Sequence, residues 1–262
     1  MMVRILVRVV SWSVLAYLVL PLVVILGSSL TASSFLAFPP EGLTLNWYRQ
    51  MLADPSYVAS FSTSTALALA ATLAALVLTV PAALAVARYA FPGKRAIAAL
   101  LMSPLVLPHV VLGAALLQFG GYFGLTRSFL SLLIGHCVIV APFVLRSTLA
   151  LMTPEQKALE EASADLGANP WTTFFLVVLP QIRPGLVTGS IFAFISSWIN
   201  VELSIFNTTA ELNTIPVKLF NYVQYTIDPT IAAVSGTTIV VAIVAITILD
   251  LTIGLDMLSD RK

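Results

Sequence analysis

His109 and His136 are the only histidines in the chain and Cys137 its only cysteine, so any imidazole or thiol chemistry has to be built on these three residues. An imidazole would serve as metal ligand or general base, and a thiolate as ligand or nucleophile. No carboxylate or cysteine stands at a helical spacing that would make either histidine part of a metal site, and both are read as neutral, packed residues. Cys137 has no partner for an intrachain disulfide and reads as a buried structural thiol. Glu202 is a stronger candidate. Trp198 precedes it by one helical turn with Asn200 between them, and a carboxylate beside an aromatic face can hold an ammonium group by ion pairing and cation–π attraction. The competing reading leaves Glu202 in the headgroup region, meeting only water. Phosphate-cradling loops are missing, since Gly93-Lys94 is followed by Arg95 and lacks the earlier glycine. Neither His-Glu-x-x-His nor Gly-x-Ser-x-Gly occurs, which argues against a metalloprotease or an esterase-like nucleophile. No catalytic residue and no metal ligand is assigned.

The elements that must position Trp198, Asn200 and Glu202 are membrane helices. The chain is 59% hydrophobic and 10% charged, whereas a soluble domain carries roughly 25% charged residues. Charged residues divide the sequence into six long uncharged stretches, near or above the roughly 20 apolar residues that a helix needs to cross a bilayer. The expectation is one all-α integral membrane domain over residues 1–262, with spans at about 9–30, 58–87, 96–119, 128–147, 184–206 and 229–255. The first stretch follows two arginines like a signal peptide, but its uncharged core exceeds the 7 to 15 residues of such a segment, so a retained span is expected.

Six spans put both termini on one side. With that side cytoplasmic, Arg4, Arg8, Arg88, Lys94, Arg95, Arg146, Lys157, Arg183, Arg261 and Lys262 all lie inside, leaving Arg49, Arg127 and Lys218 outside. That asymmetry fixes the expected orientation. A net charge of +1 and the lack of a basic cluster give no hint of a nucleic-acid partner. Span two is rich in Ala, Ser and Thr and should face other helices. Pro104, Pro108 and Pro142 should kink spans three and four.

Between spans four and five the chain stays polar for longer than a connection requires. Thr153-Pro154-Glu155-Gln156 reads as a helix start, with Thr153 as N-cap, Pro154 at the first helical position and Gln156 completing a capping box. Gly167 terminates that helix, and Asn169-Pro170 open a second short helix expected to end before Pro180. On the first helix Leu159, Ala162 and Leu166 form a stripe, with Lys157, Glu161 and Asp165 opposite.

The string Glu161-Ala162-Ser163, three residues, Gly167, nine residues, Val177-Val178-Leu179-Pro180 resembles the "EAA" loop of binding-protein-dependent ABC importer permeases. That pattern runs Glu-Ala-Ala, three residues, Gly, nine residues, Ile, one residue, Leu-Pro, and Ser163 and Val177 depart from it conservatively. The resemblance implies a non-catalytic permease of the bacterial cytoplasmic membrane, with a coupling loop at about 151–180 between helices 4 and 5. Within it Glu161, Ala162, Ser163, Asp165, Gly167 and Ala168 would dock an ATPase subunit. It also implies two ATPase copies that bind ATP and Mg, a second permease, either a different chain, as the subfamily resemblance below favours, or a second copy of this one, and an extracytoplasmic solute-binding protein at loops 31–57 and 207–228. Alternating access would follow from rigid-body rocking.

Leu43-Thr44-Leu45-Asn46-Trp47-Tyr48, Pro142-Phe143-Val144-Leu145-Arg146, Asp165-Leu166-Gly167-Ala168 and Thr214-Ile215-Pro216-Val217-Lys218 are similar to the second permease of spermidine/putrescine importers. That similarity implies a small amine as cargo. Span five departs from the pattern: Ser197-Trp198-Ile199-Asn200 stands where relatives carry Ser-Phe-Asp-Glu or Ser-Phe-Asp-Asp, and the carboxylate is displaced to Glu202. The rival class is a secondary transporter or channel subunit. Such proteins place ionisable groups at mid-membrane, whereas here the polar information lies in a loop.

Overall fold

The computed structural model describes residues 2–253, and every regular element among them is helical. In chain order these are α1 (Met2–Ser28), α2 (Asn46–Ala53), α3 (Pro55–Arg88), α4 (Lys94–Met102), α5 (His109–Phe123), α6 (Phe129–Leu149), α7 (Pro154–Asp165), α8 (Pro170–Thr173), α9 (Leu179–Trp198), α10 (Ile215–Val223) and α11 (Pro229–Ile253). A 3₁₀ turn, Ser103–Leu105, follows α4, and a π turn, Phe174–Val178, precedes α9.

Four helical runs are long and apolar enough to cross a membrane: Arg4–Ser28, Pro55–Arg88, Phe129–Leu149 and Pro170–Trp198. A fifth arises if Lys94–Leu105 and His109–Phe123 count as one broken span, bent by 104°. The break falls where Pro104 and Pro108 were expected to disturb the helix: Pro108 is extended, and α5 restarts behind it. Pro142, by contrast, is accommodated inside α6, which runs on to Leu149. Within α11 the apolar stretch Pro229–Val244 is shorter than these runs. The last residues of the sixth expected span, 254 and 255, lie outside the described residues, as do Arg261 and Lys262.

The chain divides into two compact units. The first joins the residues up to Val58 with those from Lys218 onward. Within it the Tyr48 hydroxyl bonds the Ser29 hydroxyl at 2.7 Å and lies where a Cβ on Gly236 of α11 would stand, so only glycine allows α2 and α11 this close. Trp47 donates its indole N–H to the Thr31 carbonyl at 2.9 Å, and the Lys218 ammonium sits 4.2 Å from the centre of the Tyr57 ring.

The second unit, Ala59–Val217, holds the functional candidates. Its core joins Ala71 and Ala75 of α3, Leu116 of α5, Ile139, Val140 and Val144 of α6, Ala193 of α9, and Leu203. α3 buries Leu67, Ala68, Ala71, Ala75 and Ala83 at helical spacing while Leu69, Leu73 and Val77 stay exposed, as its small-residue composition suggested. α6 crosses α9 most closely at Gly185 and Gly189. A Cβ on Gly185 would stand 2.9 Å from Leu151 Cδ1, and one on Gly189 2.9 Å from the Val144 Cα, so the two helices touch backbone to backbone.

Candidate functional site

α7 begins at Thr153, whose side chain accepts the Gln156 amide, and Pro154 follows at the first helical position. The capping box is only half made. Gln156 turns away from Thr153, and its Oε1 accepts from Arg88 Nη2 at 2.9 Å. Glu155, in the first turn, has its carboxyl held below the ordinary carboxylate value by hydrogen bonding to the Thr153 side chain and to backbone. The helix ends in a Schellman motif. Ala168 N–H reaches the Ser163 carbonyl at 3.1 Å, Gly167 N–H reaches Ala164 at 2.9 Å, and Gly167 takes a left-handed φ of 87°.

Asn169 then caps α8 by accepting the Thr172 amide at 2.9 Å. The second helix does not stop before Pro180. It widens into the π turn, where Leu179 N–H bonds the Phe174 carbonyl, and continues as α9 with Pro180 in its first turn. The wide turn lies just ahead of a proline that has no N–H to give and whose ring would crowd the carbonyl four residues back. Loop and span are therefore one mechanical piece.

α7 leaves its apolar stripe open to solvent and packs through a different face. Gln156 is 3% exposed and Glu160 is largely shielded, whereas Leu159 and Ala162 are exposed and Leu166 is 90% exposed. Trp171, Phe175 and Leu176 extend the exposed apolar surface along α8 and the π turn, with Trp171 and Phe175 stacked at 6.3 Å. Leu159, Ala162, Ser163, Leu166, Leu176 and Pro180 border an open groove of about 510 Å³. An exposed patch of large apolar side chains marks a surface that another body covers. Acidic groups rim it: Glu161 and Asp165 are exposed, and Glu161 pairs with Lys157 one turn away at 2.9 Å. With 53% and 64% of these two side chains open to solvent, the pair is worth only about 0.3 to 0.5 kcal/mol, so Glu161 is free to exchange partners. The Ser163 hydroxyl bonds that of Thr173 at 3.0 Å and ties α7 to α8.

The second set of expected site residues lies where α9 ends. Trp198 is buried between Phe61 and Phe194, with ring centroids 6.4 Å and 5.6 Å away. Asn200 is buried and accepts the Leu203 amide at 2.9 Å, while its Nδ2 faces His109 Nδ1 at 3.1 Å. The Glu202 side chain is 60% exposed and lies 3.5 Å from the same His109 nitrogen. One nitrogen cannot serve both neighbours. Accepting from Asn200 it needs a free lone pair, and pairing with Glu202 it needs a proton.

His109 thus joins a constellation that sequence reasoning left it out of. Its one signal was position, at the first residue after Pro108, where a span restarts. His136 is fully buried between the Ser197 and Ser204 hydroxyls, at 2.7 and 2.9 Å, in keeping with a packed residue.

Residues 79–261 match the family described as "Binding-protein-dependent transport system inner membrane component". The PotC permease of the spermidine/putrescine transport system of Escherichia coli (strain K12) is 27% identical over 235 residues, covering 89% of this chain and 88% of that protein. The PotI permease of the putrescine transport system of the same organism is 28% identical over 203 residues, covering 74% and 72%. SugB, the trehalose transport system permease of Mycobacterium tuberculosis (strain CDC 1551 / Oshkosh), is 30% identical over 226 residues, covering 82% of each. A chain in the crystal structure of a bacterial ABC transporter that imports the acidic polysaccharide alginate has the same fold, with a TM-score of 0.75, 16% identity and 96% of both chains covered.

Proposed function

The chain belongs to the family of binding-protein-dependent transport system inner membrane components, and from that premise we propose that its polar loop, residues 151–180, is the coupling loop through which a separate ATPase drives solute import. The chain is a multi-pass, non-catalytic permease subunit, and ATP is hydrolysed by its partner. The observation that carries the proposal is the exposed apolar stripe of α7, with Leu159, Ala162 and Leu166 open to solvent along a groove while Gln156 and Glu160 are shielded. A permease in isolation gains nothing from that arrangement. Covered by a partner, each large aliphatic side chain contributes about 1.5 to 3 kcal/mol.

In this reading Glu161, Ala162, Ser163, Asp165, Gly167 and Ala168 form the docking surface. Ala162 admits close approach, Gly167 makes the turn that presents α8, and the Glu161 and Asp165 carboxylates meet basic side chains of the ATPase. Six spans, with both termini cytoplasmic, put this loop on the ATP side of the membrane. Two ATPase copies, carrying ATP and Mg, close on nucleotide and rock this permease against a second, different permease chain. An extracytoplasmic binding protein delivers the solute.

For the cargo, the polyamine relatives and the Glu202 carboxylate together favour a small amine. Trp198, Asn200 and Glu202 line its path, with His109 beside them. The trehalose relative, no more distant in sequence, makes a neutral sugar the natural competitor in any assay.

Leu166→Glu tests the docking surface. The side chain is exposed, so the permease should keep its thermal stability, while ATPase binding weakens by about tenfold or more, the scale of a lost interface anchor. Undiminished co-purification of the ATPase with this variant would remove the docking role of the stripe.

A further inference from the structure

We propose that Arg88 and Glu160 form a clamp through which movement of α7 reaches α3, making Arg88 a positioning residue for transport; the proposal rests on the importer reading above. Arg88 is the last residue of α3. Its Nε donates to both Glu160 oxygens, at 3.0 and 3.2 Å, and its Nη2 donates to Glu160 Oε1 and to Gln156 Oε1, the latter at 2.9 Å. Gln156 and Glu160 are one turn apart, so a single guanidinium grips two turns of the inner face of α7.

The geometry separates this pair from an ordinary surface contact. Only 12% of the Arg88 and 19% of the Glu160 side chain are exposed, against more than half of each partner in the Lys157–Glu161 pair on the same helix. A shielded, forked ion pair is directional and weakly screened, whereas an exposed one is neither.

The neighbouring packing explains why such a link is required. Nearby, Val80 and Leu84 of α3 meet Phe174 and Val178 of the π turn and Ile182 at the base of α9. Aliphatic surfaces of this kind tolerate sliding because their attraction is non-directional. A guanidinium fork on a carboxylate does not, since its bonds fix both separation and orientation. Motion of α7 therefore has two exits: along the continuous chain into α9, and across the Arg88 fork into α3. Gln156 Nε2 is buried without a hydrogen-bond partner among the described residues, which leaves the network one bond to gain in a second arrangement.

The test uses the complete complex in lipid vesicles and reads solute taken up per ATP hydrolysed, together with subunit stoichiometry. Arg88→Gln and Glu160→Gln should each assemble normally and hydrolyse ATP near the wild-type rate, with uptake per ATP lowered on the order of tenfold, within the ordinary range of coupling between sites. Arg88→Lys, which keeps the charge but loses the fork, should fall between. The exchanged pair, Arg88→Glu with Glu160→Arg, should recover most of the coupling.

Wild-type uptake per ATP in both single variants would overturn the clamp. So would parallel loss of ATPase and uptake with poor assembly and no recovery in the exchanged pair, since that is the pattern of a purely structural contact. Wild-type complex that takes up nothing when ATP is supplied would overturn the importer reading, and the clamp with it.

Discussion

Gly167 has a φ of 87° and no atom within 4 Å of the place a Cβ would occupy, so an alanine there meets backbone strain without a clash. The strain is about 1–2 kcal/mol, and it falls on the Schellman motif that orients α8. Gly167→Ala should therefore leave the spans folded and lower uptake per ATP, while Gly167→Asn, which tolerates the left-handed region, should be milder; equal behaviour of the two variants would count against the turn as the sensitive feature.

At the end of α9, Glu202→Gln removes the exposed carboxylate beside His109. If Glu202 meets a cationic cargo, the half-saturating amine concentration should rise by about tenfold, as for loss of one charge-assisted contact, with little change in ATPase rate. Unchanged uptake would put Glu202 in contact with water alone. Much of this scale was readable in advance. Thr153, Pro154, Gly167 and Asn169 carry their conformations in their own residue types, and each sits as those types dictate. The partner of Gln156 was not readable, because Arg88 lies 68 residues away and the capping box offered a local alternative. His109 was missed for the same reason, since Asn200 stands 91 residues beyond it.

Helices were legible as elements, and their joints less so. The apolar runs and the proline-marked break of span three follow from composition and from chemistry that proline imposes locally. The continuation of α8 through the π turn into α9 does not, because Pro180 reads as a stop unless a wide turn precedes it. The stripe on α7 was visible as a pattern, but sequence periodicity cannot say which side faces the protein. Here a third side does, carrying Gln156 and Glu160, because Arg88 draws Glu160 inward, while both the stripe and the Lys157, Glu161, Asp165 side stay exposed.

The crossing of α6 and α9 gives the firmest expectation at this scale. Replacing Gly189 with Leu would drive a side chain into Val144 and Phe143 of α6, at a cost of about 1–3 kcal/mol or more. A melting curve in detergent should show a clear loss of thermal stability, larger than that of Phe192→Ala, whose half-exposed ring only stacks on Phe143 at 6.3 Å.

For the whole molecule, hydropathy and composition fix the class: long uncharged stretches with few ionisable groups between them. Four helices long and apolar enough to span, and a bent pair that would make a fifth if it counts as one span, are present in the described residues. Orientation rests on Arg and Lys placement, and Ser163→Cys and Ser34→Cys, each made with Cys137→Ser so that it carries the only thiol, provide the check. A membrane-impermeant thiol reagent added outside should label position 34 and spare position 163; the reverse would invert the topology and put the loop out of reach of any cytoplasmic ATPase.

A permease coupled in this way moves solute only when a partner ATPase works on its loop. The direct measurement is uptake of a labelled amine into vesicles containing the full complex, with ATP at the loop side, in the presence and absence of the binding protein. Uptake should require both ATP and the binding protein and saturate with each. Uptake that proceeds without ATP hydrolysis, following only the solute or an ion gradient, would contradict that coupling.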